Sequence, residues 1–188
     1  MKKLLLIGAL GVLAAGAHAA ELTLSFDLTG LNNVDGIYDP DNYSVFVNLD
    51  TYFSHDYSNY SVTDVSWDNV VLHTVSAGSW CSDAVFSLEN TDASGYIDVA
   101  PSSLDAGGTD GPLSSGGFVP AGPVNVLSDD TVFFHLWVVY DDNPNGVDST
   151  YDSGTVTYKI HADDPVPEPA SIAALGLGVL ALARRRRK

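Results

Sequence analysis

One apolar stretch decides the fold of this chain: Thr131-Val132-Phe133-Phe134-His135-Leu136-Trp137-Val138-Val139-Tyr140. Its side chains alternate between two faces, with Phe133, His135, Trp137 and Val139 on one and Val132, Phe134, Leu136 and Val138 on the other. A period of two is typical of a β-strand, and apolar residues on both faces predict a central strand covered on both sides. We therefore expect Phe133 and Trp137 to be buried and His135 to be a core histidine. Residues 154–161 are predicted to be an antiparallel partner of this strand.

Similar alternation recurs before this stretch. It occupies residues 22–29 and 43–49, and it predicts burial of Leu24 and Phe26. A longer β-rich span over residues 61–76 and two shorter strands over 84–88 and 96–99 are also predicted. Residues 31–42, 52–60 and 101–130 are rich in turn formers or polar residues, so we expect loops there, the last being a long surface connection. No amphipathic helical pattern occurs between residues 20 and 165. Seven or eight short strands predict an all-β fold, an antiparallel β-sandwich of jelly-roll or immunoglobulin-like topology, with a closed barrel as the alternative.

Residues 20–165 carry a large net negative charge. Residues 20–165 hold 23 of the 24 acidic residues but a single cation, Lys159, which gives a formal charge of −22. Nucleic acids and anionic membranes are excluded as partners, because no basic surface exists to neutralise them. Mutual repulsion favours solubility, and divalent cations would relieve it. The simplest interpretation is an acidic, solvated surface in an extracellular setting.

The first 19 residues have the pattern of a secretory signal peptide. Lys2 and Lys3 precede an apolar run over residues 4–15, and Ala17 and Ala19 flank His18 as a small-x-small cleavage site. Signal peptidase is expected to cleave after Ala19, with cleavage after Ala17 as the alternative. The mature domain would then cover residues 20–165, which is the length of a single domain.

The C-terminal segment, residues 166–188, has three parts. Pro167, Glu168 and Pro169 form a rigid motif, and residues 170–183 are an uncharged run of small and aliphatic residues. A block of cations follows: Arg184, Arg185, Arg186, Arg187 and Lys188. Fourteen helical residues span about 21 Å, which is short for a membrane crossing, but five adjacent cations favour a cytoplasmic membrane face over a buried core. A short, temporary transmembrane helix is predicted.

This order of parts closely resembles the PEP-CTERM sorting signal of bacterial surface and exopolysaccharide-associated proteins. The resemblance covers only residues 166–188. It implies that exosortase, a membrane protease-transpeptidase, recognises Pro167, Glu168 and Pro169 and removes the segment. It further implies that residues 170–183 are the membrane segment and that residues 184–188 are the cytoplasmic stop. An ordinary membrane anchor with an accidental Pro-Glu-Pro is the alternative.

No motif in the sequence indicates catalysis. The histidines of the domain lack metal-ligand spacing, no Gly-x-Ser-x-Gly elbow occurs, and no cysteine–histidine pair stands out. Cys81 is the only cysteine, so an internal disulfide is excluded and burial beside Trp80 is the favoured interpretation. We therefore predict that the protein is not an enzyme.

Two stretches are candidate binding sites. Residues 141–152 fit a calcium-loop pattern in which Asp152 replaces the usual glutamate. Its predicted ligands are Asp141, Asn143, Asn145, the carbonyl of Val147, and Asp152; the alternative is a plain hairpin turn. The second candidate is a sugar-stacking platform formed by Tyr38, Tyr43, Tyr52, Phe53, Tyr57 and Tyr60.

Together these features predict a non-enzymatic protein that is exported through a Sec-type signal peptide. After transient anchoring in the inner membrane it would reach the cell surface or the exopolysaccharide matrix. A calcium-assisted carbohydrate-binding module in the same location is the first alternative, and a secreted polysaccharide-active enzyme is the second.

Overall fold

A computed structural model describes residues 19–75, 77–144 and 146–163 of the chain. In chain order their elements are β1 (Ala19–Asp27), β2 (Asn32–Asn33), β3 (Ser44–Asn48), α1 (Leu49–Phe53), β4 (Asn59–Thr74), a 3₁₀ turn (Cys81–Asp83), β5 (Ala84–Asn90), β6 (Tyr96–Val99), β7 (Thr109–Leu113), β8 (Val119–Asn125), β9 (Thr131–Val138) and β10 (Ser149–Asp163). This part of the chain is mostly antiparallel β-structure, which confirms the all-β prediction.

The described strands form two sheets. The first has the order β1-β10-β4-β7, with β2 also paired to β10 and β8 to β4, and the second has the order β3-β9-β5-β6. The pairing is nested, because β5 pairs with β6, β4 with β7 and β8, β3 with β9, and β1 with β10. Successive pairs alternate between the sheets. This arrangement favours the jelly-roll alternative, since an immunoglobulin-like sandwich pairs its first strand with its second.

The two sheets pack face to face through a hydrophobic core to which both contribute. Phe26 of the first sheet stacks on Phe134 of the second, with 4.0 Å between ring centroids and 8° between planes. Tyr158 of the first sheet meets both rings edge-on, at centroid distances of 6.2 and 6.4 Å. Leu24 is buried, as predicted, and so is Cys81. These contacts between the sheets are those of a β-sandwich.

The prediction of one long surface connection over residues 101–130 is wrong. That region contains β7 and β8, both of which pair with β4. Glycine and proline, among them Gly111, Pro112, Pro120 and Pro123, suggested a loop. Edge strands tolerate these residues, because a proline there need not donate a ladder hydrogen bond.

The apolar stretch 131–140 contains β9, which lies between β3 and β5 in the second sheet. Its predicted partner, residues 154–161, instead belongs to β10 in the first sheet, where it pairs with β1 and β4. A short connection between two strands suggested a hairpin. In this fold the connection after β9 crosses from one sheet to the other.

Only one face of β9 enters the core. Phe134 and Leu136 are fully buried, whereas Phe133 and Trp137 are half-buried on the opposite face. The expectation that Phe133 and Trp137 are core residues was therefore wrong. Phe26, also expected to be buried, is half-buried although its ring stacks in the core.

The short helix α1 lies where the sequence predicted the end of a strand and the start of a loop. The side chain of Asn48 caps it by accepting a hydrogen bond from the Thr51 N–H at 3.0 Å. This cap ends β3 one residue before the predicted end at Leu49.

Candidate functional site

The outward-facing side of the second sheet carries a row of large side chains across all four strands. The cross-strand register places Phe46 beside Phe133, Phe133 beside Glu89, and Glu89 beside Tyr96. We call these four residues the outer row. Phe46 and Tyr96 stand at the two edges of the sheet with 66% and 61% of their surface exposed, so the row ends in two accessible aromatic rings.

The rings of this face stack in sequence. Phe46 lies on Phe133 with 4.4 Å between centroids, and Phe133 lies on His135 at 4.8 Å. Tyr38 covers His135 from the other side at 5.6 Å, nearly parallel to it. His135 is therefore buried, as predicted, but between aromatic rings on the outer face and not in the core.

The segment that brings Tyr38 into place is residues 34–43, which precede β3 and lie beside β9. The backbone carbonyls of Asp35 and Tyr43 accept hydrogen bonds from the N–H groups of Val138 and Leu136, both at 3.0 Å. The side chain of Asn42 holds the segment in shape with four hydrogen bonds to its backbone. Tyr38 has a φ of 66°, which is unusual for an aromatic residue and indicates local strain.

Glu89 is the polar centre of the outer row and is only 4% exposed. The Tyr38 hydroxyl donates to its Oε2 at 3.0 Å, and His135 Nε2 lies 3.7 Å from its Oε1. Burial raises the pKa of Glu89 and lowers the pKa of His135. Both shifts favour the uncharged forms of the two side chains, so the contact between Glu89 and His135 is not a strong ion pair. His135 Nε2 makes no hydrogen bond within the described residues.

A chain of two hydrogen bonds lies beside the outer row. The Trp137 Nε1–H donates to Ser87 Oγ at 2.7 Å, and the Ser87 hydroxyl donates to Asp98 Oδ1 at 2.6 Å. Asp98 also borders a groove of about 350 Å³ between β6 and β8, whose walls include Trp67 and Tyr96. A volume of this size falls in the range of small-ligand sites. Rings and carboxylate oxygens are therefore combined on one surface.

The sequence did not single out the outer row. Phe46 shares a strand face with Ser44 and Asn48, so an apolar residue on an otherwise polar face was the available signal. Tyr96 gave the same signal in β6, opposite the buried Ile97. Glu89 gave none, because its proximity to the rings depends on strand order.

The tyrosine-rich platform predicted from the sequence is divided into separate groups. Ring contacts join Tyr52, Phe53, Tyr57 and Tyr60 around α1. Tyr38 instead contacts His135, and Tyr43 contacts the core residue Phe134. Of these six residues, only Tyr38 therefore belongs to the surface around the outer row.

The predicted calcium ligands lie in and after the turn between β9 and β10. Asp141 accepts from the Asn143 N–H at 3.1 Å, and the Asn143 amide donates to the Val147 carbonyl at 3.2 Å. Asp152 lies in β10, where its carboxylate is 2.7 Å from His73 Nδ1. Asn145 lies outside the described residues. Burial and a hydrogen bond with Asp35 raise the pKa of Asp141. No group of three or more His, Cys, Asp or Glu side chains within the described ranges is arranged to hold a metal ion, and calcium binding stays a prediction.

The targeting segments fall largely outside the described residues. Ala17, the Pro167-Glu168-Pro169 motif, the predicted helix over 170–183 and the cations at 184–188 all belong there. Ala19 is the first residue of β1 and pairs with Asp163. Within residues 19–75, 77–144 and 146–163, no helix has the length and apolar character needed to span a membrane.

The fold and surface together define an acidic, all-β antiparallel protein with an aromatic outer face. Its C-terminal residues 165–188 match the family model described as the PEP-CTERM protein-sorting motif, which confirms the resemblance found in the sequence. This motif implies export through exosortase-type sorting to the surface or extracellular space. No curated protein matches the chain.

Solved structures give only remote similarity. A structure of turnip yellow mosaic virus has 7% identity over 83% of this chain and 87% of that chain, with a TM-score of 0.26. A structure of desmodium yellow mottle tymovirus has 11% identity over 81% and 86%, with a TM-score of 0.25. One of infectious bursal disease virus has 10% identity over 81% and 38%, with a TM-score of 0.26. Scores this low establish neither fold nor function.

Proposed function

We propose that this chain is a non-enzymatic protein of the cell surface or exopolysaccharide matrix, delivered there by its C-terminal sorting signal. The match of residues 165–188 to the sorting motif is the observation that carries this proposal. The domain of residues 20–165, with a formal charge of −22, is suited to an extracellular matrix because mutual repulsion keeps its copies dispersed.

The processing route follows from the two ends of the chain. Signal peptidase removes the first 19 residues, cutting after Ala19. Residues 170–183 hold the protein transiently in the inner membrane, with the cations at 184–188 on the cytoplasmic side. Exosortase then recognises Pro167-Glu168-Pro169 and releases the domain.

Intact-mass measurement of the released protein tests this route. We expect an N-terminus at Ala20 and loss of the block Arg184–Lys188. A Glu168→Gln variant should stay in the membrane fraction, whereas the matched control Glu21→Gln should be released like the parent. Release of the full 188-residue chain, or normal release of the Glu168→Gln variant, would overturn the proposed processing.

A carbohydrate-binding module in the same location is the second candidate. The exposed rings of Phe46 and Tyr96 and the exposed carboxylate of Asp98 favour it, because aromatic faces and carboxylate oxygens are groups that bind sugars. Selective, saturable binding on a glycan array would support this candidate over a purely structural role. Repeating the binding with and without calcium tests whether the module is calcium-assisted. A turnover assay on polysaccharides tests for enzymatic activity, and we expect no turnover.

A further inference from the structure

We propose that the outer row, Phe46, Phe133, Glu89 and Tyr96, is a binding site for a neutral polysaccharide chain that lies across the strands of the second sheet. The matrix role proposed above supplies the source of such a ligand, but the site itself is inferred from the domain alone. The occupant is a chain of uncharged sugars, and anionic polysaccharides are rejected.

The dimensions of the row suit an extended chain. Four neighbouring strands separated by about 4.8 Å place its two ends about 14 Å apart. Phe46 and Tyr96 mark these ends and are the most exposed members of the row. The stacked pair Phe46 and Phe133 offers an aromatic surface to the C–H face of a sugar ring, and Tyr96 offers a second one at the far edge.

The polar groups between the rings are mainly hydrogen-bond acceptors. Asp98 is exposed one row away and accepts a hydrogen bond from the Ser87 hydroxyl at 2.6 Å, whereas Glu89, in the row itself, is only 4% exposed and accepts from the Tyr38 hydroxyl. Sugar hydroxyls can donate to the exposed carboxylate of Asp98, and such charge-assisted hydrogen bonds are strong. A neutral, hydroxyl-rich chain therefore complements both the rings and the acids.

Charge excludes the other occupants. Lys159, the only cation between residues 20 and 165, lies on β10 of the first sheet, with its ammonium 4.9 Å from the ring centroid of Phe118. Carboxylated or sulfated chains would meet Asp98 and the net negative charge of the domain, with no cation of the domain in the second sheet to neutralise them. A second copy of the domain, itself carrying −22, would be repelled for the same reason.

The surroundings of Glu89 supply an independent observation. His135 is 99% buried, yet its Nε2 lacks a hydrogen bond within the described residues and faces Glu89 at 3.7 Å. Tyr38 is held in a strained backbone conformation to reach the same carboxylate. Backbone strain clusters at binding sites, and here it holds Tyr38, whose side chain is exposed, over the buried His135 and Glu89.

Affinity electrophoresis and calorimetry of the purified full chain test the site. The neutral probes are hydroxyethyl cellulose, galactomannan and dextran, and the anionic probes are carboxymethyl cellulose and alginate. We expect saturable binding to at least one neutral probe. Carboxymethyl cellulose shares its backbone with hydroxyethyl cellulose, and we expect its binding to be at least tenfold weaker than that of the best neutral probe.

Variants locate the site. Phe46→Ala and Tyr96→Ala, both at exposed positions, should each weaken binding at least tenfold. Phe118→Ala is the matched control, because its ring is 41% exposed and contacts Lys159 of the first sheet. It should bind like the parent.

Four outcomes would overturn the proposal: no binding to any neutral probe, equal binding of carboxymethyl cellulose, full affinity in both variants, or dimerisation of the parent that Phe46→Ala abolishes. The last outcome would assign the face to a second copy of the chain. None of these measurements depends on sorting, so failure here leaves the matrix role intact. Failure of the release experiment, in turn, leaves the binding site intact.

Discussion

Replacing Phe134 by alanine tests the central packing of the sandwich. Phe134 is fully buried on β9, stacks on Phe26 at 4.0 Å, and meets Tyr158 and Tyr43 edge-on at 6.4 Å each. Phe134→Ala therefore removes contacts with both sheets and leaves a cavity that rigid strands cannot close. Truncating a buried phenylalanine costs about 3–5 kcal/mol of unfolding free energy. For a domain of this size that corresponds to a fall in Tm of about 10–20 °C.

The matched control for this prediction is Phe46→Ala, on the neighbouring strand. Phe46 is 66% exposed and loses mainly its contact with Phe133, so we expect a cost of about 1 kcal/mol or less. Urea unfolding followed by tryptophan fluorescence, together with a thermal melt, measures both variants. Equal destabilisation by the two substitutions, or a loss below about 2 kcal/mol for Phe134→Ala, would show that the sheets do not pack as described.

Three further predictions concern the backbone, a buried histidine and the calcium loop. Gly154→Ala should lower the unfolding free energy by at least about 2 kcal/mol, because φ is +133° and the added Cβ would lie 2.8 Å from the β4 backbone. The control is Gly36→Ala, whose added Cβ would meet nothing within 4 Å. It should change the unfolding free energy by less than about 1 kcal/mol in the same urea titration. Because the pKa of His135 is lowered in the folded domain, acid protonates this histidine in the unfolded state before it does so in the folded state. The stability that the neutral His135 contributes is therefore lost as the pH falls below about 6.5. His135→Asn should therefore lose less unfolding free energy than the parent between pH 7 and 5.5. An identical loss in both proteins would contradict a lowered pKa of His135. The raised pKa of Glu89 acts in the opposite direction, but Glu89 is present in both proteins. Calorimetric titration should show one weak calcium site, of about 0.1–1 mM, that Asp141→Ala abolishes, and equal uptake by that variant would assign calcium to the diffuse acidic surface.

Period and composition were enough to predict the class of fold. The alternation in β9 identified a central strand, and the turn-rich segments separated it from its neighbours. The period of the strand does not show which face of β9 packs against the first sheet, so Phe133 and Trp137 were assigned to the core. Glycine and proline within β7 and β8 hid two strands, because sequence does not show that a strand lies at an edge.

The candidate site was less predictable than the fold. The outer row joins β3, β9, β5 and β6, which are not all consecutive in sequence. Only the strand order brings Glu89 beside Phe133, and no local pattern around either residue encodes that order. The sorting motif was predictable because its recognition depends on a contiguous segment, residues 166–188.

The nested pairing of strands also determines when each strand can pair during synthesis of the chain. The chain emerges from its N-terminus, and β5 and β6 form the innermost pair, joined by a short turn. Within the described residues β1 pairs only with β10, and Ala20, the first residue after the proposed cleavage, pairs with Ala162 near the end of that ladder. Contacts between residues so distant in sequence form slowly, typically over milliseconds to seconds in all-β domains. We therefore expect the domain to remain incompletely folded until residue 163 has emerged, so that the strand synthesised first is the last to be paired.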